Sequence, residues 1–296
     1  TPLYSSAASD VYKRQEQARL LREIAQIETD HKRRRWIGER LATIGDRRSG
    51  VRVDDRGLPQ IDWLPLPVGG DIEIQGHLFT VQPFFVAKHL VTYAQFQAFL
   101  DAPDGFWDDP WWAGMPDKYK KQDMSSAVAQ YDNYPRDSVS WYQSVAFCRW
   151  LDAHYRQQNL FANFPVGTAN GVSENSGHAV ARLYETITLN PNDWQIRLPT
   201  EWEWQWMAQG GIAALNYPWG DWDKHPRANT TEAGIGDHST AVGMYPYGAA
   251  HCGALDVAGN LWEWCLNDYG SPEPINISSN EQKVLRGGSF LSDQAL

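Results

Sequence analysis

Apolar residues recur at intervals of three and four near the start of the chain. Leu20, Ile24 and Ile27, then Trp36, Ile37, Leu41 and Ile44, share a face with charged residues between them, which predicts helix from Glu16 to Ile44. Gly45-Asp46 stops it. One or two helices cannot bury such a stripe alone. Residues 16–50 are therefore expected to pack on the main domain or to close an upstream helical domain. Thr1 to Gln15 has no clear period and resembles translated adapter sequence, so residues 1–15 are read as an artefactual or disordered segment without function.

The pattern then changes. Val51 to Pro67 reads as a linker holding a short strand, Ile61 to Leu64. Asp71–Ile74 and Phe79–Val86 read as paired strands around Gln75-Gly76. Helices are expected over Val91–Leu100, Ser140–Tyr155 and Arg197–Ala208. The last has a legible start, with Thr200 as N-cap and Glu203 completing a capping box. Gly105–Asp137 is aromatic-rich and irregular. Gln157–Asp193 is long and polar, with a short helix expected over His178–Tyr184; a connection of this length marks an insertion or a binding loop. Beyond Gly210-Gly211 the chain reads as loops and short strands.

Composition narrows the core. The 296 residues are 42% hydrophobic and 13% aromatic, with 15 Trp. Apolar burial is worth about 25 cal/mol per Å², so so many large rings predict a core built on aromatics rather than on regular layers. The formal charge of −10 opposes phosphate neutralisation and argues against nucleic acid as a partner. The one basic cluster, His31 to Arg35, has acidic neighbours and is expected to be a solvated helix face. No run of about 18 apolar residues exists, so no membrane span is expected. No signal peptide is visible and the expected location is cytoplasmic. Cys148, Cys252 and Cys265 have no CxxC spacing; Cys148 and Cys265 are expected in the core.

Four motifs then follow in order: Val139-Ser140-Trp141-Tyr142 with Ala146-Phe147-Cys148; Arg197-Leu198-Pro199-Thr200-Glu201 with Glu203-Trp204; Tyr217-Pro218-Trp219-Gly220; and Ala258-Gly259-Asn260-Leu261-Trp262-Glu263-Trp264, followed by Leu285-Arg286-Gly287-Gly288-Ser289-Phe290. Together they resemble the formylglycine-generating-enzyme, or sulfatase-modifying-factor, family. The resemblance runs from about Trp63 to Leu296 and assigns residues 60–296 to one such domain, incomplete at its C-terminus. It implies an α+β class: a C-type lectin-like fold of low regular secondary structure, here with an N-terminal helical appendage. Glu201 and Glu203, two apart on a helix, face different ways and are expected to be structural carboxylates.

Oxygen ligands suggest a cation. Asp256, the carbonyls of Gly259 and Leu261, and Glu263 form an alternating hard-oxygen set suited to Ca²⁺. The resemblance carries a calcium site onto these same four positions. It implies a second at Asn229 and the Thr230 carbonyl, with Asp237 as the nearest further ligand.

The family's enzyme oxidises a sulfatase cysteine to formylglycine with O₂ and Cu(I) held by two cysteines after the R-G-G-S-aromatic motif. Counting onward, the first cysteine position falls on Ser292, and the second falls just past Leu296. Soft thiolates suit Cu(I) and a hydroxyl does not, so Cu(I) is not expected and Ser292 is read as inactive. Iron, as in ergothioneine-type relatives, needs an HxxxH pair in the helical segment, which holds only His31. Other relatives are silent modules fused to larger bacterial signalling or NTPase-type proteins. The expectation is a binding or sensing module of that kind, taking a protein or peptide ligand on Phe106–Tyr119, with Trp107, Trp111 and Trp112, and on Gln157–Asp193. The alternatives are a formylglycine-generating oxidoreductase and a non-haem iron enzyme of the same superfamily.

Overall fold

The structure, a computed structural model, describes residues 2–164, 193–236, 238–270 and 275–294, with only the backbone described for residues 2–8 and 163. The helix expected over His178–Tyr184 lies outside these residues, as does most of the Gln157–Asp193 loop.

Five α-helices and six strands are described. Helices α1 (Pro2–Ile24) and α2 (His31–Ile44) precede four strands, β1 (Trp63–Leu66), β2 (Gly70–Ile74), β3 (His77–Val81) and β4 (Phe84–Ala87). Then come α3 (Tyr93–Asp101), α4 (Trp141–Gln157) and α5 (Glu201–Ala208), followed by β5 (Glu263–Asp268) and β6 (Lys283–Arg286). Strands pair only as antiparallel ribbons, β1 with β4, β2 with β3 and β5 with β6. The mixed class with little regular structure matches the expectation.

Three helices start the same way. Thr92 with Gln95, Ser140 with Gln143, and Thr200 with Glu203 each form a reciprocal capping box that satisfies two free amides. The ribbon around Gln75-Gly76 forms where expected, both residues taking positive φ. The strand read over Phe79–Val86 is instead two, broken at Gln82-Pro83; Pro83 cannot donate to a ladder, and β4 leaves to pair with β1.

Aromatic rings make the core. One cluster centres on α3 and α4, where Phe96 stacks on Phe147 at 5.3 Å and Phe106 meets Trp112 edge-on at 5.1 Å. The second surrounds α5, whose Trp202, Trp204 and Trp206 are all buried. A helix buried all round needs apolar residues on every face, which the alternating Trp supply.

The third cluster seats the appendage. Leu20, Ile24, Ile37, Leu41 and Ile44 pack on Tyr134, Ala241, Met244 and Tyr245, so α1 and α2 dock on the main domain. The predicted helical stretch forms two helices, parted after Ile24, and Asp30 caps α2 by accepting from Arg33 N at 2.9 Å. Residues 1–15, expected to be artefactual or disordered, are helical from Pro2; Val11 and Tyr12 are exposed and add nothing to the core. The basic cluster is only partly a solvated face. Arg34 is fully buried, while Arg33 pairs with Glu23 and Arg35 with Glu39. No described helix is long and apolar enough to cross a membrane.

A polar knot lies beside the third cluster. Asp46 pairs with Arg48 at 2.7 Å and accepts from Asn133 Nδ2 at 2.9 Å. His89 is buried against Arg48 and Gly243, and burial, reinforced by Arg48 and Lys88, pushes its pKa down to about 3. The folded protein thus keeps His89 neutral while the unfolded chain protonates it near 6.5, so the folded state loses stability as pH falls from 6.5 toward 3. Urea titrations across that window are expected to show a decline of a few kcal/mol that His89→Gln flattens; an equal slope in the variant would contradict this.

Candidate functional site

Three loops from distant parts of the chain converge. Asn260 N donates to Asn229 O at 2.8 Å, Gly259 N to Gly287 O at 2.8 Å, Phe290 N to Asn260 O at 3.1 Å and Thr231 N to Ser292 O at 3.0 Å. The structure thus gathers Asn229, Thr230, Asp256, Gly259, Leu261, Glu263 and Ser292 into one region. Asp237 lies outside the described residues.

Asn260 holds the centre. It is buried at φ +63, its Oδ1 accepts from Thr240 N at 2.8 Å and from Asn229 Nδ2 at 3.3 Å, and its Nδ2 donates to Thr240 O at 3.2 Å. Gly259, at φ +78, must be glycine, because a β-carbon there would sit 2.5 Å from Asn229 O.

Two carboxylates face this turn with little compensation. Asp256 Oδ2 accepts from Gly243 N at 2.6 Å, yet burial pushes its pKa up to about 6. Glu263 Oε1 accepts from Trp204 Nε1 at 3.2 Å, and burial, reinforced by Asp256, pushes its pKa up to about 8. Neither is in an ion pair among the described residues. At Gly287, a β-carbon would fill a small cradle 2.9 Å from Val257 O and 3.6 Å from Glu263 Oε1. Carboxylates buried without a direct ion pair, Asp256 eased through space by Arg48, fit a hard cation beside main-chain oxygens. Among the described residues no group of three or more His, Cys, Asp or Glu could hold a metal, so carbonyls have to complete any such site.

At the second expected site, Asn229 spends its amide on His238 O and Asn260 Oδ1, and Thr230 O accepts from Ala233 N. These contacts serve the turn itself.

Ser292 is 6% exposed, and its Oγ accepts from Ser289 N at 2.9 Å. The hydroxyl closes the tight turn after Gly287-Gly288. Cys265 is buried, and Cys148 packs against the first core, its thiol pushed up to about 12 by burial. Glu203 caps α5 and pairs with Arg197 at 2.7 Å, whereas Glu201 pairs with Arg286 and Asn267, so both are structural as expected.

A cavity of about 1130 Å³ opens beside the site. Leu261, Trp262, Glu263 and Ser289 to Leu291 form one wall, and Ser292 is not among its lining. Phe85, Trp194, Arg136 and Asp137 line other parts. The aromatic loop Phe106–Tyr119 contributes nothing to it. There, Trp112 is buried, its Nε1 donating to Phe106 O at 2.8 Å, and Trp111 packs on the same core; only Trp107 is exposed. Gly243 was not picked out from sequence, and Asn260 and Gly287 stood in the motifs with no role assigned to them. Gly259-Asn260, two residues that tolerate the left-handed region side by side, was the available signal.

The converging loops, the two buried carboxylates and the R-G-G-S turn lie within a stretch that one family model covers. The chain belongs to that family: residues 67–296 match the sulfatase-modifying factor enzyme 1-like domain. Formylglycine-generating enzyme of Streptomyces coelicolor is 28% identical over 251 residues, 76% of this chain and 72% of that protein. Hercynine oxygenase of Mycolicibacterium thermoresistibile is 26% identical over 267 residues, 78% of this chain and 49% of that protein. Inactive C-alpha-formylglycine-generating enzyme 2 of Mus musculus is 26% identical over 243 residues, 76% of this chain and 69% of that protein.

Asn260→Ala removes the side-chain links to Thr240 and Asn229 and places alanine in the left-handed region. The expected loss is about 3 kcal/mol by urea denaturation. A midpoint unchanged from the parent protein would show that the loops hold together without it.

Proposed function

We propose that this chain is a peptide-binding module of the family that does not oxidise cysteine to formylglycine. Ser292 carries the reading. At the position where the family places its first copper-binding cysteine, this chain has a hydroxyl, which is a poor Cu(I) ligand and a weak nucleophile at neutral pH. That hydroxyl is committed to the Ser289 amide and lies outside the cavity lining. The cavity combines aromatic walls with a few charged groups, which suits a peptide with apolar side chains.

Ca²⁺ has a structural role in this reading. Asp256, Glu263 and the carbonyls of Gly259 and Leu261 would hold it, with Asn229, Thr230 and Asp237 as ligands of a second ion. Bound at the first site, the ion would supply positive charge against the buried Asp256 and Glu263 carboxylates. Leu261 to Glu263 also line the cavity, so a fixed loop means a fixed wall.

An active oxidase is the second reading, favoured by the 28% identity to a formylglycine-generating enzyme over most of both chains. Incubation with Cu(I), O₂ and a Cys-x-Pro-x-Arg peptide separates the two. Mass spectrometry is expected to return the peptide with its cysteine intact, and an aldehyde product at an enzyme-like rate would establish the oxidase instead. Ca²⁺ is expected to raise the melting temperature, because it binds only the folded state, and Asp256→Ala to abolish the shift. A melting curve indifferent to chelator would remove calcium from the account.

A further inference from the structure

Two guanidinium groups from the N-terminal segment reach the loop that holds Asp256. Arg34, on α2, is fully buried, and its hydrogen bonds all go to carbonyls. Nη1 donates to Met244 O at 2.7 Å and to Ile24 O at 2.8 Å, Nε to Thr29 O at 2.8 Å and Nη2 to Gln26 O at 2.7 Å. Arg48, just past α2, donates from Nη1 to Val242 O at 2.7 Å while Asp46 takes its Nε and Nη2.

The two gripped carbonyls flank Gly243. The peptide unit joining Val242 to Gly243 has the Arg48 cation on its oxygen, and its N–H points at Asp256 Oδ2, 2.6 Å away. A peptide group polarised by a cation at one end donates more strongly at the other, and a buried setting magnifies the effect. The loop cannot slide out of this arrangement. Val242 N donates to Asn133 O at 2.9 Å, and Gly243 at φ +70 is covered so closely that a β-carbon would lie 2.7 Å from His89 Cε1 and 3.1 Å from Arg48 Nη1.

We propose that Arg48 and Arg34 are positioning residues for the cation site, holding the Asp256 carboxylate through the Val242–Met244 backbone. The helical appendage then sets cation affinity from outside the ligand loop. This rests on the calcium reading of Asp256.

The test compares Arg48→Met, Arg48→Lys and Arg34→Met with Leu41→Ala, which removes core packing from α2 but no carbonyl contact. Calcium affinity is read by isothermal titration calorimetry, and amide exchange over residues 240–245 by mass spectrometry on metal-free protein. Arg48→Met is expected to weaken calcium binding ~10-fold or more, the range for residues that orient metal ligands, and to speed exchange over 240–245. Arg48→Lys keeps the charge beside Asp46 and should recover part of both, and it keeps the test open if Arg34→Met does not fold. Leu41→Ala is expected to lower the melting temperature and leave calcium affinity unchanged. Equal affinity loss in Leu41→Ala, or none in the arginine variants, overturns the proposal. If the parent protein binds no Ca²⁺, the calcium reading fails separately. The exchange data still decide the positioning role, which unchanged protection over 240–245 in the arginine variants would overturn.

Discussion

The side-chain amide of Asn260 ties together loops that no regular structure joins. With strands pairing only as short ribbons, the described loops must satisfy their backbone groups elsewhere. Asn260 does this for four chain segments at once: its backbone bonds Asn229 and Phe290, and its side chain bonds Thr240 and Asn229. Only a residue tolerant of positive φ, carrying both a donor and an acceptor, serves this position. The placement of Asp256, Glu263 and the Ser289–Ser292 turn follows from it.

That convergence brings two carboxylates into a poorly solvated corner. Burial favours their protonated forms; the Gly243 N–H, the Arg48 charge and the Asn260 side chain oppose it only partly at Asp256, and the Trp204 N–H only partly at Glu263. Burying a carboxylate without a cationic partner is costly, so such a corner persists where a bound cation or a shared proton offsets it. On the other side of the same turn, Ser292 spends its hydroxyl on a backbone amide. The region is thus organised to hold backbone and charge in place, with the Ser292 hydroxyl as part of that scaffold.

Much of the fold was legible because its signals are local. The α5 capping box, the Gln75-Gly76 turn and the apolar stripe of α2 each lie within a few residues and appear where the pattern puts them. What escaped depends on distant partners. The β1–β4 pairing joins residues 63–66 to residues 84–87, and the break at Pro83 that allows it hides inside an apolar run. The burial of Arg34 was equally hidden. A basic run reads as solvated until Met244, some two hundred positions away, supplies a carbonyl to it. At the site, the four positions proposed as oxygen ligands were read from alternation and resemblance. The contacts of Asn260, Gly243 and Arg48 around them are tertiary, so the motif that holds Asn260 does not show its partners.

The central claim, that the loops gathered by Asn260 form a cation site with Glu263 as a ligand, has a direct optical test. Trp204 Nε1 lies 3.2 Å from Glu263 Oε1, so Tb³⁺ bound there in place of Ca²⁺ would sit beside an indole able to sensitise its emission. Excitation of tryptophan is expected to give terbium luminescence that excess Ca²⁺ displaces and Glu263→Gln abolishes. Absence of sensitised emission in the parent protein, or emission that survives in Glu263→Gln, would contradict the claim.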